Sequence, residues 1–426
     1  MTLRRAEAPA AGEVTDLGAG RGPAWLDAHL AAALPGLIEL RRRIHAHPET
    51  ARTEHETTRL VGEALQRCGV ATTLLTTGTG LIADIPGGPG PLLALRADLD
   101  ALPLTEASGL PFASTVPGVA HACGHDVHTA VVLGAAMALA AAPSLPGPVR
   151  LLFQPAEEVM PGGAYDVIDA GGLTGVAAVF AAHCDPSLEA GLVATRVGPI
   201  TSACDMVEIT VTGPGGHTSR PHLTVDLVGA LAALAGQLPQ LLARRLPTQA
   251  GVTMVWGAID AGEAANVIPQ SGRLRGTLRL ADRAAWRGAE PLVRTLTRQI
   301  LAPFGADHRI DYVPGVPPTV NDESAVQLLR AGASAALGPD AIQLAAQSSG
   351  AEDFAVILDA VPGALLRLGV WDGVGEQVDL HSPTFRADER AIAVGVRTLV
   401  HTVLAAGTAP GSLPGHPPRA PGAVTP

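Results

Sequence analysis

The 426-residue chain contains no lysine; all 29 of its basic residues are arginine. That absence excludes a Schiff-base lysine for pyridoxal phosphate or a sugar. It also excludes a phosphate-cradling GK[ST] loop and the lysine–glutamate pair of protein kinases. Aromatic residues are scarce, at 3% of the chain, so an aromatic-lined pocket is not expected. Only four cysteines occur (Cys68, Cys123, Cys184, Cys204), with no CxxC, which excludes a disulfide framework and favours a reducing compartment. The longest apolar stretch, Ala130 to Ala142, is too short to span a bilayer, and MTLRRAEAPAAGEV has no apolar core of a signal peptide. A cytoplasmic location is the expectation.

Charge and composition are consistent with those exclusions. Forty acidic residues against 29 basic ones leave a net charge of −11, which argues against nucleic acid or an anionic membrane as partner. Hydrophobic residues at 47% allow a large core, and the length suggests more than one domain.

Residues 1–22 show no period, and 408–426 are dense in proline and glycine, so both are expected to be disordered. Between them the first part alternates helices and strands. Helices are expected at Ala24–His45, Thr57–Arg67 and Val127–Ala142; strands at Leu81–Pro86, Leu92–Arg96, Val149–Gln154 and Ala177–His183. This is the pattern of an α/β layer fold. After Cys204 the order becomes strand Met206–Gly213, helix Thr224–Leu242, strands Gly251–Asp260 and Arg273–Leu280, helix Arg283–Phe304 and strand Arg309–Val313. That β-α-β-β-α-β order is the split βαβ arrangement, read as a small domain inserted into the larger one. Helices at Ser324–Leu337, Asp353–Asp359 and Asp388–Ala406 return to the first domain. The expected division is 23–203 plus 314–407 for the larger domain and 204–313 for the insertion.

The densest chemistry is His121-Ala-Cys123-Gly-His125-Asp126-Val-His128, ligand types for a metal packed ahead of a helix. On extended backbone Cys123 and His125 would aim to one side. His121 and His128 are as readily explained by local hydrogen bonds. Glu157 and Glu158 follow an apolar strand, where paired carboxylates are costly unless a cation compensates them. On extended backbone they would face opposite ways, one toward a metal and one toward substrate. A solvated loop pair is the alternative. His183 ends a buried strand, at the edge where α/β sheets place ligands. His381 lies in DLHSPTF, and Asp98-Leu-Asp100 follows the strand LLALR; those carboxylates could equally cap loop amides. In the insertion, His217 follows the glycine-rich Gly213–Gly216. Asn266 and Arg279 add groups able to grip a carboxylate, although a tight turn and structural roles explain the three as well.

Taken together, RRRIHAHPE, LRADLDALP, HACGHDVHTA, QPAEE, AAHCDP, GPGGHTSRPH, NVIPQSGRLRGTLR, SSGAEDF and LHSPTF resemble one family. It is the co-catalytic metallopeptidases that include aminoacylases, carboxypeptidases, hippurate hydrolases and auxin-conjugate amidohydrolases, and the Cys-Gly-His segment is closest to the amidohydrolase branch. The resemblance covers roughly residues 37–402.

It implies a doubly wound mixed-sheet α/β catalytic domain with an inserted ferredoxin-like lid that forms a homodimer or a tetramer. It implies two divalent metals (Zn, Mn, Co or Ni) on Cys123, His125, Glu158, His183 and His381. Glu157 would be the general base and acid toward water activated between the metals, and Asp100 would orient a metal-binding histidine. Asp98 stands where other branches carry a metal-binding histidine. His217 would stabilise the oxyanion in the partner subunit's site, and Asn266 and Arg279 would bind the substrate carboxylate. The implied reaction cleaves the amide of an N-acyl amino acid, acetyl or aromatic acyl; a dipeptidase or carboxypeptidase on the same metals is the alternative. Two departures from the family pattern are TARTEHET after His47-Pro-Glu49, read as a changed surface turn, and Pro214 where a lysine is frequent.

Overall fold

The computed structural model describes residues 15–407; the terminal segments 1–14 and 408–426, where disorder was expected, lie outside the described residues. Residues 15–22, expected to share that disorder, instead form turns. Asp16 accepts from the Nε of buried Arg397 at 2.8 Å, which ties this piece to the helix Arg390–Ala406.

The chain divides into two compact units. The first contains Met1–Gly198, Asn321–Ala346 and Val356–Pro426. It is built on an eight-stranded mixed sheet in the order Thr72–Leu74, Leu81–Ile85, Val149–Gln154, Leu92–Asp98, Val176–Glu189, Gly363–Trp371, Val193–Thr195, Ile342–Leu344. The four central strands, from Val149–Gln154 to Gly363–Trp371, run parallel. They are nearly continuous apolar runs because both faces are covered. The helix His125–Ala140 is buried almost all round, which its Ala, Val and Gly side chains allow, and it packs between Ala24–Ala46 and Arg390–Ala406.

The strand Gly363–Trp371, buried along almost its whole length, is the longest of the strands the sequence pattern did not reveal. Every residue but the last is buried, so GALLRLGV shows no alternation, and Arg367 breaks the apolar run.

The second unit contains Pro199–Val320 and Gln347–Ala355. Its antiparallel sheet has the order Thr253–Ala261, Ser271–Leu280, Ala203–Thr212, Asp307–Val316. Numbered along the chain these strands stand 2-3-1-4, which is the split βαβ order. Helices Leu227–Arg245 and Ala289–Leu301 pack against each other, and Leu227, Leu231, Leu234, Leu238 and Leu242 make a buried stripe at helical spacing. Among the described residues, only Leu227–Arg245 is long and apolar enough to cross a membrane by length and composition. The single helix expected over Arg283–Phe304 is instead Arg283–Arg287 and Ala289–Leu301, followed by a 3-10 turn. Gly288 separates them, and Pro291 cannot donate to the carbonyl of residue 287.

Candidate metal centre

Parallel strands deliver their C-terminal ends to one edge of the sheet, where backbone groups and loops are free to build a site. Here that edge collects Asp98 at the end of Leu92–Asp98 and Asp100 just beyond it, Glu157 and Glu158 after Val149–Gln154, and His183 within Val176–Glu189. Cys123 and His125 arrive at the start of the helix His125–Ala140.

The backbone between Cys123 and His125 is not extended as expected. Gly124 is left-handed (φ 85°, ψ 17°), and a Cβ there would stand 2.6 Å from Cys184 Sγ. Only glycine turns the chain so sharply at such close quarters. The turn aims both side chains inward, and Cys123 Sγ lies 3.7 Å from His183 Nε2. The helix itself begins at His125, two residues earlier than expected, so His125, Asp126 and His128 lie in its first turns.

Glu157 and Glu158 also depart from the extended reading. Ala156 is left-handed (φ 54°), and both carboxylates approach the same imidazole: His125 Nε2 is 3.9 Å from Glu157 Oε2 and 3.8 Å from Glu158 Oε1. His381, itself left-handed (φ 59°), places Nε2 3.2 Å from Glu158 Oε1. Its backbone N–H donates to Ala122 O at 2.8 Å, beside Cys123. Left-handed alanine and histidine are strained conformations, and such strain gathers at functional sites.

The donor atoms therefore converge. Those of Cys123, His125 and His183 lie within 4.8 Å of one another, as do those of Cys123, Glu158 and His381, and those of His125, Glu157 and Glu158. The residues fit a cation. His125 Nε2 is buried and makes no hydrogen bond. Buried polar atoms are otherwise almost always satisfied. A thiol, imidazoles and a carboxylate form the donor set of Zn, Mn, Co or Ni sites.

Surrounding groups fix the imidazoles. Asp100 Oδ1 is 3.4 Å from His125 Nδ1, and its two oxygens accept the N–H groups of Glu157 and Glu158, each at 2.9 Å. Asp100 thus caps the loop and lies beside the ring. His183 Nδ1 donates to the Cys184 carbonyl at 2.8 Å, which leaves the Nε2 lone pair facing the cluster. His128 is a hydrogen bonder: its Nε2 accepts from Cys184 N–H at 2.8 Å, so Nδ1 carries the proton and donates to Asp98 at 2.6 Å. Asp98 also receives Arg96 at 2.5 Å.

Electrostatics follow this geometry. Burial, with help from neighbouring His128 and Arg367, holds His183 neutral, well below the usual histidine range. Burial pushes the Cys123 thiol up, and a cation is what would hold it as thiolate. His381 is drawn up to about 10 by Cys123 and Glu158.

The family model described as Peptidase family M20/M25/M40 matches residues 94–405. The chain belongs to this family. An M20-family structure from Bacillus subtilis, described as a dinuclear metal binding peptidase, superposes with a TM-score of 0.77 at 34% identity, covering 88% of this chain and 98% of that one. The N-acetylcysteine deacetylase of Bacillus subtilis is 36% identical over 361 residues, 84% of this chain and 93% of that protein. A Rhodococcus jostii protein provisionally named glutamate–cysteine ligase 2-3 is 50% identical over 364 residues. The match covers 85% of this chain but 46% of that protein, so this chain spans about half its length.

The remaining expected site residues of this M20 chain lie in the second unit. His217 is exposed and pairs with Val267 in a two-residue ladder, and the adjoining Asn266 carbonyl accepts from Thr218 N–H at 3.2 Å. His217 Nδ1 accepts from Ser219 N–H at 3.1 Å, which puts the ring proton on Nε2. Arg279 donates to the Ser349 carbonyl at 2.5 Å.

Three M20-chain residues near the cluster were not singled out for what they do. Asp126 is fully buried, with Oδ2 2.6 Å from Arg41 Nε and 2.8 Å from His45 Nδ1. Burial alone would raise its pKa; Arg41 and His45 hold it well below the carboxylate range. His121 makes no local hydrogen bond, contrary to expectation; both ring nitrogens are buried and unpartnered, and burial lowers its pKa to about 4. Glu54, in the segment read as a surface turn, is fully buried and accepts the Ala156 N–H at 2.7 Å. A glutamate in a polar octapeptide carries no sequence signal of burial.

Proposed function

We propose that this chain is a metal-dependent amidohydrolase that cleaves the amide bond of N-acyl amino acids into a carboxylic acid and a free amino acid. The observation that carries the reading is the convergence of Cys123, His125, His183, Glu158 and His381 around a further carboxylate, Glu157. A structural metal needs no spare carboxylate; a hydrolytic one does. The acetyl-amide reaction named for the deacetylase relative supports an acyl group as small as acetyl.

In this reading Cys123, His125, Glu158, His183 and His381 hold two divalent ions. When bound, the ions supply the positive charge that acidifies water and polarises the amide carbonyl. Glu157 accepts the proton of the attacking water and returns it to the leaving amine nitrogen. Asp100 holds the His125 ring and the Glu157–Glu158 backbone in place. The Nε2–H of His217 donates to the developing oxyanion, and Asn266 and Arg279 grip the substrate carboxylate. The second unit serves as lid and dimerisation domain, so that His217 acts in the partner subunit's site. Four unpaired cysteines support a cytoplasmic setting.

Amine release from a panel of N-acyl amino acids tests the reading, with metal-stripped protein refilled with Zn, Mn or Co and unblocked dipeptides as controls. Metal-restored release from the N-acyl substrates is expected. Release from the dipeptides alone would replace the reading with a peptidase, and no release with any metal would overturn it.

A further inference from the structure

We propose that Glu54 is a positioning residue that sets the aim of the Glu157–Glu158 pair through the backbone of Ala156. The inference rests on the amidohydrolase reading for its consequence on turnover, but the contacts stand by themselves.

Ala156 immediately precedes the two carboxylates and is held left-handed at φ 54°. An alanine stays in that region only where its surroundings over-determine it. Its carbonyl accepts from Gly163 N–H at 2.8 Å. A Cβ at Gly163 would stand 1.8 Å from the Pro155 carbonyl, so the loop closes on itself tightly there. Its N–H donates to Glu54 Oε1 at 2.7 Å, across 102 residues of sequence. The same oxygen accepts from Arg52 N–H at 3.1 Å, and Arg52 is itself left-handed at φ 71°. The Arg52 guanidinium then reaches the far side of the loop, donating to the Pro161 carbonyl at 3.1 Å and pairing with Asp166.

Three successive amides, of Ala156, Glu157 and Glu158, therefore end on two buried carboxylates: Glu54 takes the first and Asp100 takes the next two. Such a row of N–H groups around a left-handed residue is an anion nest. Here the anions are supplied by the chain, and their task is geometric. Without Glu54 nothing on the amide side opposes the return of Ala156 to a relaxed conformation. That return rotates the following peptide and moves the Glu157 and Glu158 side chains together.

The test compares wild type with Glu54→Ala, Glu54→Gln, Ala156→Gly and the double variant Glu54→Ala/Ala156→Gly. Each is measured for kcat and KM on an N-acetyl amino acid, for Co(II) affinity by direct titration, and for thermal midpoint. Glu54→Ala is expected to lower kcat about 10²-fold, the cost of misplacing a reacting group by an ångström, with KM little changed. It should also weaken Co(II) binding, because Glu158 moves with Glu157. Glu54→Gln should recover most of both, since its amide oxygen still accepts the Ala156 N–H. Glycine adopts positive φ without strain. The loss caused by Glu54→Ala should therefore shrink in the Ala156→Gly background.

Unchanged kcat and Co(II) affinity in Glu54→Ala would overturn the proposal. So would a lowered thermal midpoint with turnover per folded molecule intact, failure of Gln to rescue, or equal losses in both backgrounds. If wild type hydrolyses no substrate, the amidohydrolase reading fails. The Co(II) titrations of the same variants then judge the brace separately.

Discussion

Glu157 and Gly124 hold two different positions in the cluster, a donor carboxylate and a turn. Glu157 sits 3.9 Å from His125 and belongs to the donor group with Glu158. Glu157→Gln keeps the side-chain shape and removes the proton acceptor of the proposed mechanism. It should lower kcat by about 10²- to 10⁴-fold, while elemental analysis still finds two metals per chain. Full hydrolysis by this variant would remove Glu157 from the mechanism. Gly124→Ala meets two obstacles, the positive φ of 85° and the contact with Cys184 Sγ at 2.6 Å. Backbone strain alone costs about 1–3 kcal/mol. A chemical-denaturation midpoint equal to wild type would show that the turn accommodates a Cβ. At this scale the sequence was informative where ligand types cluster in HACGHDVH and QPAEE. It was silent on Glu54 and on the tautomer of His128, because both depend on partners 102 and 56 residues away.

The element that organises the site is the parallel centre of the first sheet. Gly363–Trp371 pairs with Val176–Glu189 from Gly363↔Val179 onward and completes the buried centre on which the helices pack. Leu366 is completely buried there. Leu366→Ala should cost about 2–5 kcal/mol, transfer and cavity terms together. Urea denaturation reads that loss, and a change under 1 kcal/mol would show that the strand edge collapses around the cavity. The helices and the short apolar strand runs of the first part were legible from period, composition and flanking breakers. Gly363–Trp371, an apolar run of the same kind, was not read, because buried Arg367 interrupts it. The break at Gly288 was missed for a related reason: the apolar spacing of Val293, Leu296 and Ile300 continues a pattern that only the backbone interrupts.

Stability of the molecule as a whole should depend on acid through His121. Burial lowers its pKa from 6.5 to about 4, so between those values the unfolded chain binds a proton that the folded chain does not. Unfolding then takes up protons, and stability falls as pH drops from about 6.5 toward 4 and levels below that. Thermal midpoints of metal-free protein across this range should show that slope, and His121→Gln should flatten it. An unchanged slope in the variant would assign the acid sensitivity to other groups. Glu106 acts at lower pH. Burial would raise its pKa, but hydrogen bonds from His45, Ser108 and the Ser114 amide bring it to about 2. Its contribution is therefore lost only as pH falls from 4.5 toward 2.

By itself the sequence determined the layer architecture, the order of elements in the second unit and a set of candidate donor side chains. Those are written in local periodicity and in residue types that have few other uses when clustered. Tertiary structure alone decided which way the donors point. The left-handed turns at Gly124, Ala156 and His381, and the carboxylates of Asp100 and Glu54 that hold the loop amides, aim the donors at one volume. The physical reason is that a backbone conformation unfavourable in isolation persists only when distant buried partners compensate it, and a local pattern cannot encode a partner a hundred residues away.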